Sequence, residues 1–170
     1  MATQLLKSGS KGEPVKALQT KLQQLGFDST PDGAFGPATQ GAVEELQSLF
    51  GYDVDGIVGD GTLKLIDQQI GLTFNVKDPA ALKKAVEAGK IAAPKHALKR
   101  GSEGADVRIL QRRLAVLGFA VTVDGKFGEA TDKAVRGVQE AFKYDVDGVV
   151  GEATHKLINQ QIGYGWTAGK

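Results

Sequence analysis

The chain of 170 residues sets 21 Lys and Arg against 20 Asp and Glu, a formal charge of +1 at pH 7. That balance carries no polyanion-binding signature, so nucleic acid is not an expected partner. The absence of cysteine excludes disulfides, thiolate nucleophiles and thiolate metal sites, and no apolar run approaches membrane-spanning length.

The amino terminus, through Gly9, lacks the long apolar stretch of a secretory signal, so the chain as given is expected to be made as a soluble protein. Gly9-Ser10-Lys11-Gly12 is a turn-rich lead into a first helix opened by Glu13 and Pro14. Val15, Leu18, Leu22 and Leu25 recur at helical spacing and define one apolar face. Gly26 is placed to end the helix in a left-handed conformation.

The stretch Asp32-Gly33-Ala34-Phe35-Gly36-Pro37-Ala38-Thr39 then reads as a turn that leads into a second helix. Asp bonds its own downstream backbone, Gly tolerates positive φ, and Pro suits the first helical position. Phe35 is expected in the core, and Thr39 is expected to satisfy an orphan backbone group of the first turn. Val43, Leu46, Gln47 and Phe50 give the second helix its inner face. Tyr52-Asp53-Val54-Asp55-Gly56-Ile57-Val58-Gly59 repeats the turn logic ahead of a short third helix with Leu65, Ile66 and Ile70 inward and Gly71 at its end. Any extended pairing around these turns is expected to be very short. Asp78, Pro79 and Gly89 bracket a further helix, a connector expected to hold its neighbours at a defined separation.

Beyond it the pattern returns. Residues 6–71 align with 98–163 without a gap at an offset of 92, with 38 identities in 66 positions, which only a duplication explains. The fold expectation is all-α: a first three-helix domain over 1–75, a helical connector over 76–96, and a second three-helix domain over 97–170. The lone Trp166 lies past the repeat, either packed back or exposed.

The run Gly-x-x-Gly-x-x-Val-x-x-Leu-Gln-x-x-Leu-x-x-Leu-Gly-Phe occurs at 9–27 and 101–119. With the following Asp-Gly-x-Phe-Gly-x-x-Thr and Asp-Gly-x-Val-Gly-x-x-Thr motifs, it resembles the small three-helix peptidoglycan-binding domain appended to bacterial cell-wall hydrolases and phage endolysins. The resemblance covers both units. It implies a groove that contacts the wall polymer, through its glycan strand or stem peptide, and no catalysis or cofactor of its own. It also implies action at the bacterial wall, reached by lysis, specialised export or particle delivery, with a hydrolase or particle component as cargo. The competing reading is a protein–protein adaptor of a phage-like or injection particle that uses the same fold.

His96 and His155 fall in different segments, and His155 matches Leu63 in the other copy, so both are expected at the surface and not on zinc. Asp53-x-Asp55-Gly56 and its twin at Asp145 and Asp147 begin like a calcium loop, but the ligand series breaks at the following apolar residues. The turn contexts of Asp32, Asp53 and Asp55, and of their twins Asp124, Asp145 and Asp147, account for them without glycan hydrolysis. Gln19, Gln111, Gln47 and Gln139 either tie down loop backbone or face the ligand. The structural role is preferred, because buried loop backbone must find partners. The candidate ligand-binding set is Phe27, Asp32, Thr39 and Tyr52 with their twins Phe119, Asp124, Thr131 and Tyr144. Arg112 and Arg113, where the first copy has Thr20 and Lys21, are expected to give the second unit a stronger hold on anionic groups.

Overall fold

The apolar spacing is realised as helices in a computed structural model that describes residues 5–94 and 96–169. Among these residues the helices are α1 (Glu13–Gln24), α2 (Pro37–Leu49), α3 (Asp60–Gly71), α4 (Pro79–Glu87), α5 (Ala105–Val116), α6 (Glu129–Ala141) and α7 (Glu152–Tyr164). Two compact units, Met1–Leu82 and Lys83–Lys170, meet within α4. In the first, α1 packs on α2 and α3; in the second, α5 packs on α6 and α7. Extended pairing among the described residues is limited to isolated bridges, Leu6–Val58 and Lys11–Ala34 with their twins Leu98–Val150 and Glu103–Lys126. The architecture is all-α, with tandem three-helix modules.

Each core is built from the inner helix faces and one anchor from each turn. Val15, Leu18 and Leu22 of α1 bury with Val43 and Leu46 of α2, Leu65 and Ile66 of α3, and the turn residues Phe35 and Val58. Val107, Leu110 and Leu114 with Phe127, Val135, Val138, Val150, Leu157 and Ile158 repeat the arrangement. Phe127 has 2% of its surface exposed, so it stabilises its turn by roughly 1.5–3 kcal/mol of apolar transfer.

Each Asp-Gly turn is fastened to the preceding helix by one buried glutamine. Gln19 Oε1 accepts the Gly33 N–H at 2.8 Å. Gln19 Nε2 donates to Asp32 Oδ1 at 2.8 Å, to the Ala34 carbonyl at 3.0 Å and to Thr39 Oγ1 at 3.0 Å. Gln111 makes the same four contacts with Gly125, Asp124, Lys126 and Thr131. Gln47 grips Gly56, Asp55, Ile57 and Thr62, and Gln139 grips Gly148, Asp147, Val149 and Thr154. The four turn glycines have φ of 66–76°, a left-handed geometry that an L side chain resists. The glutamine geometry is the structural role preferred from the sequence. Thr39 differs from expectation: its hydroxyl accepts from the Gln19 amide, while Thr62 and Thr154 do bond backbone, at Ile57 and Val149.

The helix ends share a second device. After α1, Gly26 takes φ 84°, its N–H bonds Gln23, and the Phe27 N–H reaches back to Leu22, the paired bonds of a Schellman motif. The same pair closes α2, α3, α5, α6 and α7, and the residue after the left-handed one is aromatic each time: Phe27, Tyr52, Phe74, Phe119, Tyr144 and Trp166. Gly71 is the last residue of α3, as expected, and the left-handed exit is made two residues on by Thr73, at φ 54°. One expectation is corrected here. Trp166 does not lie past the repeat. It is the twin of Phe74 and packs on Phe142 with centroids 5.0 Å apart, as Phe74 packs on Phe50 at 5.4 Å.

Gln139→Ala strands the Gly148 N–H and leaves the Val149 carbonyl to Thr154 alone, so the second unit should lose about 1–3 kcal/mol. Urea unfolding followed by fluorescence of the lone Trp166 measures this directly, and a loss below about 0.5 kcal/mol would remove the clamp from its structural role. A β-branched residue in the left-handed region is strained. Thr73→Gly, which copies its twin Gly165, should therefore raise the first unit's stability by about 0.5–1 kcal/mol in calorimetry.

Candidate functional site

The clamp decides the fate of four candidate ligand residues. Thr39 and Thr131 have 2% of their surface exposed and face a glutamine amide, not solvent. Asp32 and Asp124 are exposed, yet the inner oxygen of each is already bonded by the clamp amide and by the backbone N–H two residues on. These bonds hold the carboxyl groups below the usual Asp range. The Ala34 N–H dominates for Asp32, ahead of Gln19, and Gln111 dominates for Asp124, ahead of the Lys126 N–H. Asp55 and Asp147 are lowered in the same way. All of these residues come together, but as architecture.

The six helix-terminal aromatics separate into two groups. Phe27 is 1% exposed and sealed in the core, so it offers no face to a polymer; this corrects its expected placement. Phe74 is buried, and Phe119 and Trp166 pack against the second core, 6.2 Å apart by centroid. Tyr52 and Tyr144 alone turn outward, 40% and 42% exposed, each beside an exposed valine, Val54 at 43% and Val146 at 45%. One glutamine holds both ends of each loop. The Gln47 carbonyl accepts the Tyr52 N–H at 2.8 Å while its side chain grips Asp55 and Gly56, and Gln139 does the same for Tyr144, Asp147 and Gly148. The second loop has an added brace: Arg136 donates to the Val146 carbonyl at 2.8 Å and to the Asp147 carbonyl at 3.0 Å. The result is a rigidly mounted Tyr-Asp-Val tip on each unit, an aromatic face and an aliphatic side chain flanked by a carboxylate. Sequence reasoning named the tyrosines and missed the valines. The signal was available, since Tyr-Asp-Val-Asp-Gly is identical in both copies.

The arginines do not form a surface patch. Arg112 is buried, and Arg113 has 4% of its surface exposed between α5 and α7. Arg113 Nη1 lies 2.7 Å from Nδ1 of His155, and Nη2 donates to the Ala92 carbonyl at 3.4 Å. His155, expected at the surface, is 4% exposed, which is a second correction: an imidazole fills the space that Leu63 fills in the first copy. His96 is exposed. Because a guanidinium only donates, His155 Nδ1 is the acceptor and the ring proton sits on Nε2. Burial, then the neighbouring Arg113 charge, pushes His155 down to about 4. Among the described residues no group of three or more His, Cys, Asp or Glu is placed to hold a metal ion, and no helix is long and apolar enough to cross a membrane.

Residues 11–66 and 103–158 each match the family described as a peptidoglycan binding domain, and the chain belongs to that family, carrying its domain twice. An N-acetylmuramoyl-L-alanine amidase, CwlL, of Bacillus licheniformis is 35% identical over 149 residues, 79% of this chain and 39% of its own length. A zinc D-Ala-D-Ala carboxypeptidase of Streptomyces albus G is 43% identical over 68 residues, 37% of this chain and 26% of its own length. The chain therefore spans less than half of either relative. Among solved structures, the SleB N-terminal domain is 39% identical with a TM-score of 0.41, covering 42% of this chain and 99% of that one.

His155 gives the second unit its own pH response. The unfolded chain protonates this histidine near 6.5, whereas the folded unit resists until about 4. Its contribution to stability is complete above 6.5 and falls as pH drops through that window, by about 2 kcal/mol at pH 4.5. Urea midpoints read by Trp166 fluorescence should fall accordingly between pH 7 and 4.5. A flat profile there would contradict the buried, neutral imidazole.

Proposed function

We propose that this chain binds bacterial peptidoglycan without cleaving it. Contact is made through the Tyr52–Val54 tip of the first unit and the Tyr144–Val146 tip of the second. The observation that carries this reading is the division among the six equivalent aromatics. Four serve the core, while the tyrosine of each copy leaves about 40% of its surface to solvent. An outward aromatic face suits the C–H edges of a sugar, and the adjacent valine extends the apolar contact. The duplicated family domain supports the polymer assignment. Two sites of modest affinity on a repeating polymer gain avidity, which suits a chain that anchors or targets a partner, such as a hydrolase or a particle component, to the wall.

Sedimentation with purified sacculi tests this. The chain should pellet with the wall. Tyr52→Ala or Tyr144→Ala should each weaken retention about tenfold, and the double variant should abolish it, as avidity is lost. Circular dichroism should stay unchanged, because neither ring supports a core. Retention of the double variant at the original level would sink the assignment, and clearing of a wall-containing gel by the chain would overturn the absence of catalysis.

A further inference from the structure

Five Asp-Gly pairs occur in the chain: Asp32-Gly33, Asp55-Gly56, Asp60-Gly61, Asp124-Gly125 and Asp147-Gly148. Such a pair is chemically labile, because glycine has no side chain to hinder attack by its amide nitrogen on the aspartate Cγ. In that attack an N–Cγ bond forms, the Cγ–OH bond breaks, and the hydroxyl leaves with the amide proton as water. Water then opens the five-membered imide. Entry at Cγ restores aspartate, whereas entry at the main-chain carbonyl carbon yields isoaspartate, with the backbone rerouted through the side chain. No enzyme, oxidant or cofactor is required.

In four of the five pairs the glutamine clamps hold the reacting groups apart. Each glycine N–H donates to a clamp oxygen, at 2.8 Å for Gly33, 3.0 Å for Gly56 and 2.9 Å for Gly125 and Gly148. Each aspartate Oδ1 accepts two bonds of 2.8 Å, one from the clamp amide and one from the N–H two residues on. The carboxyl is thereby turned past its glycine to the next N–H, and the glycine N–H is committed to the helix. The same bonds keep the four carboxyl groups ionised. A carboxylate is a poorer electrophile than the neutral acid.

Asp60-Gly61 has none of these restraints. The pair opens α3 with both residues exposed, and Asp60 has no hydrogen-bond partner among the described residues. The Gly61 N–H belongs to the first helical turn, whose amides have no intrahelical acceptor. A Cβ on Gly61 would meet nothing within 4 Å, so the backbone has room to open. Glycine in a helix's first turn favours that opening. The second copy has Glu152-Ala153 at these positions. The longer acid there cannot close a five-membered imide.

We propose that Asp60-Gly61 is the site at which this chain converts spontaneously to isoaspartate, and that the four clamps shield the other Asp-Gly pairs from the same reaction. The change inserts a methylene into the backbone two residues before Thr62, a partner of the Gln47 clamp. Ageing of the chain therefore acts on the first unit and spares the second.

The test incubates the full chain at pH 6 and 37 °C and quantifies isoaspartate at each pair by electron-transfer mass spectrometry of its peptides. In the folded chain Asp60 should convert about tenfold faster than any clamped aspartate. In guanidinium chloride all five pairs should react at similar rates. Asp60→Glu, which copies the second unit, should keep the fold and abolish conversion at that position. Gln139→Ala should speed conversion of Asp147 about fivefold and leave Asp124 unchanged. Both lie in one unit, so this contrast separates the loss of one clamp from general destabilisation. Clamped pairs that convert as fast as Asp60 in the folded chain, an Asp60 that converts only in guanidinium chloride, or an Asp147 indifferent to Gln139→Ala would each overturn the inference.

Discussion

Each Asp-Gly turn in this molecule depends on one primary amide. A loop that enters a helix through Asp-Gly presents an N–H and a carbonyl toward the core, where water cannot satisfy them. A glutamine on the preceding helix offers one acceptor and two donors at a fixed separation, which is the complement such a loop needs. The sequence pattern follows. Gly is needed because the turn is left-handed, and Asp because its carboxylate caps the loop and takes an amide proton. Phe or Val anchors the loop below, and Thr three residues into the helix meets the amide from the far side. With four clamps built alike, a sixty-residue module needs little extended pairing and no side-chain N-cap, and Gly36, Gly59, Gly128 and Gly151 start their helices without one.

Duplication has kept the clamps and anchors of this frame while exchanges elsewhere alter its electrostatics. Across α1–α3 and α5–α7, a lysine–aspartate pair has become a buried arginine against a neutral histidine and an amide. At the tyrosine tips, Glu44 of the first unit corresponds to Arg136 of the second, so an acceptor stands in one copy where a donor braces the loop in the other. The two modules share a scaffold and present different electrostatics.

Much of this was legible in the sequence. Helical spacing placed the apolar faces, and the gapless repeat exposed the tandem organisation. The requirement that buried loop backbone be partnered pointed to the glutamines. What escaped depended on contacts between distant residues. His155 reads as a surface residue because its neighbours on α7 are polar, and only the packing of α7 on α5 buries it. Phe27 and Tyr52 occupy equivalent helix-exit positions and look interchangeable until the surrounding core decides which one is covered. Trp166 fell outside the aligned repeat because Phe74-Asn75-Val76 and Trp166-Thr167-Ala168 share no identities, although Val76 and Ala168 donate to equivalent carbonyls, Leu25 and Leu117.

The residue before each outward tyrosine differs in a way that bears on mechanics. Gly51 takes its left-handed conformation freely, whereas Lys143 holds φ 55° with a full side chain, a posture that costs on the order of 1 kcal/mol. The Arg136 brace lies immediately beyond that strained residue. The second tip thus combines a strained exit residue with a donor brace, where the first has Gly51 and Glu44 at the same positions. If the tips are the contact surfaces proposed above, the two copies would meet the same polymer with differently tensioned loops.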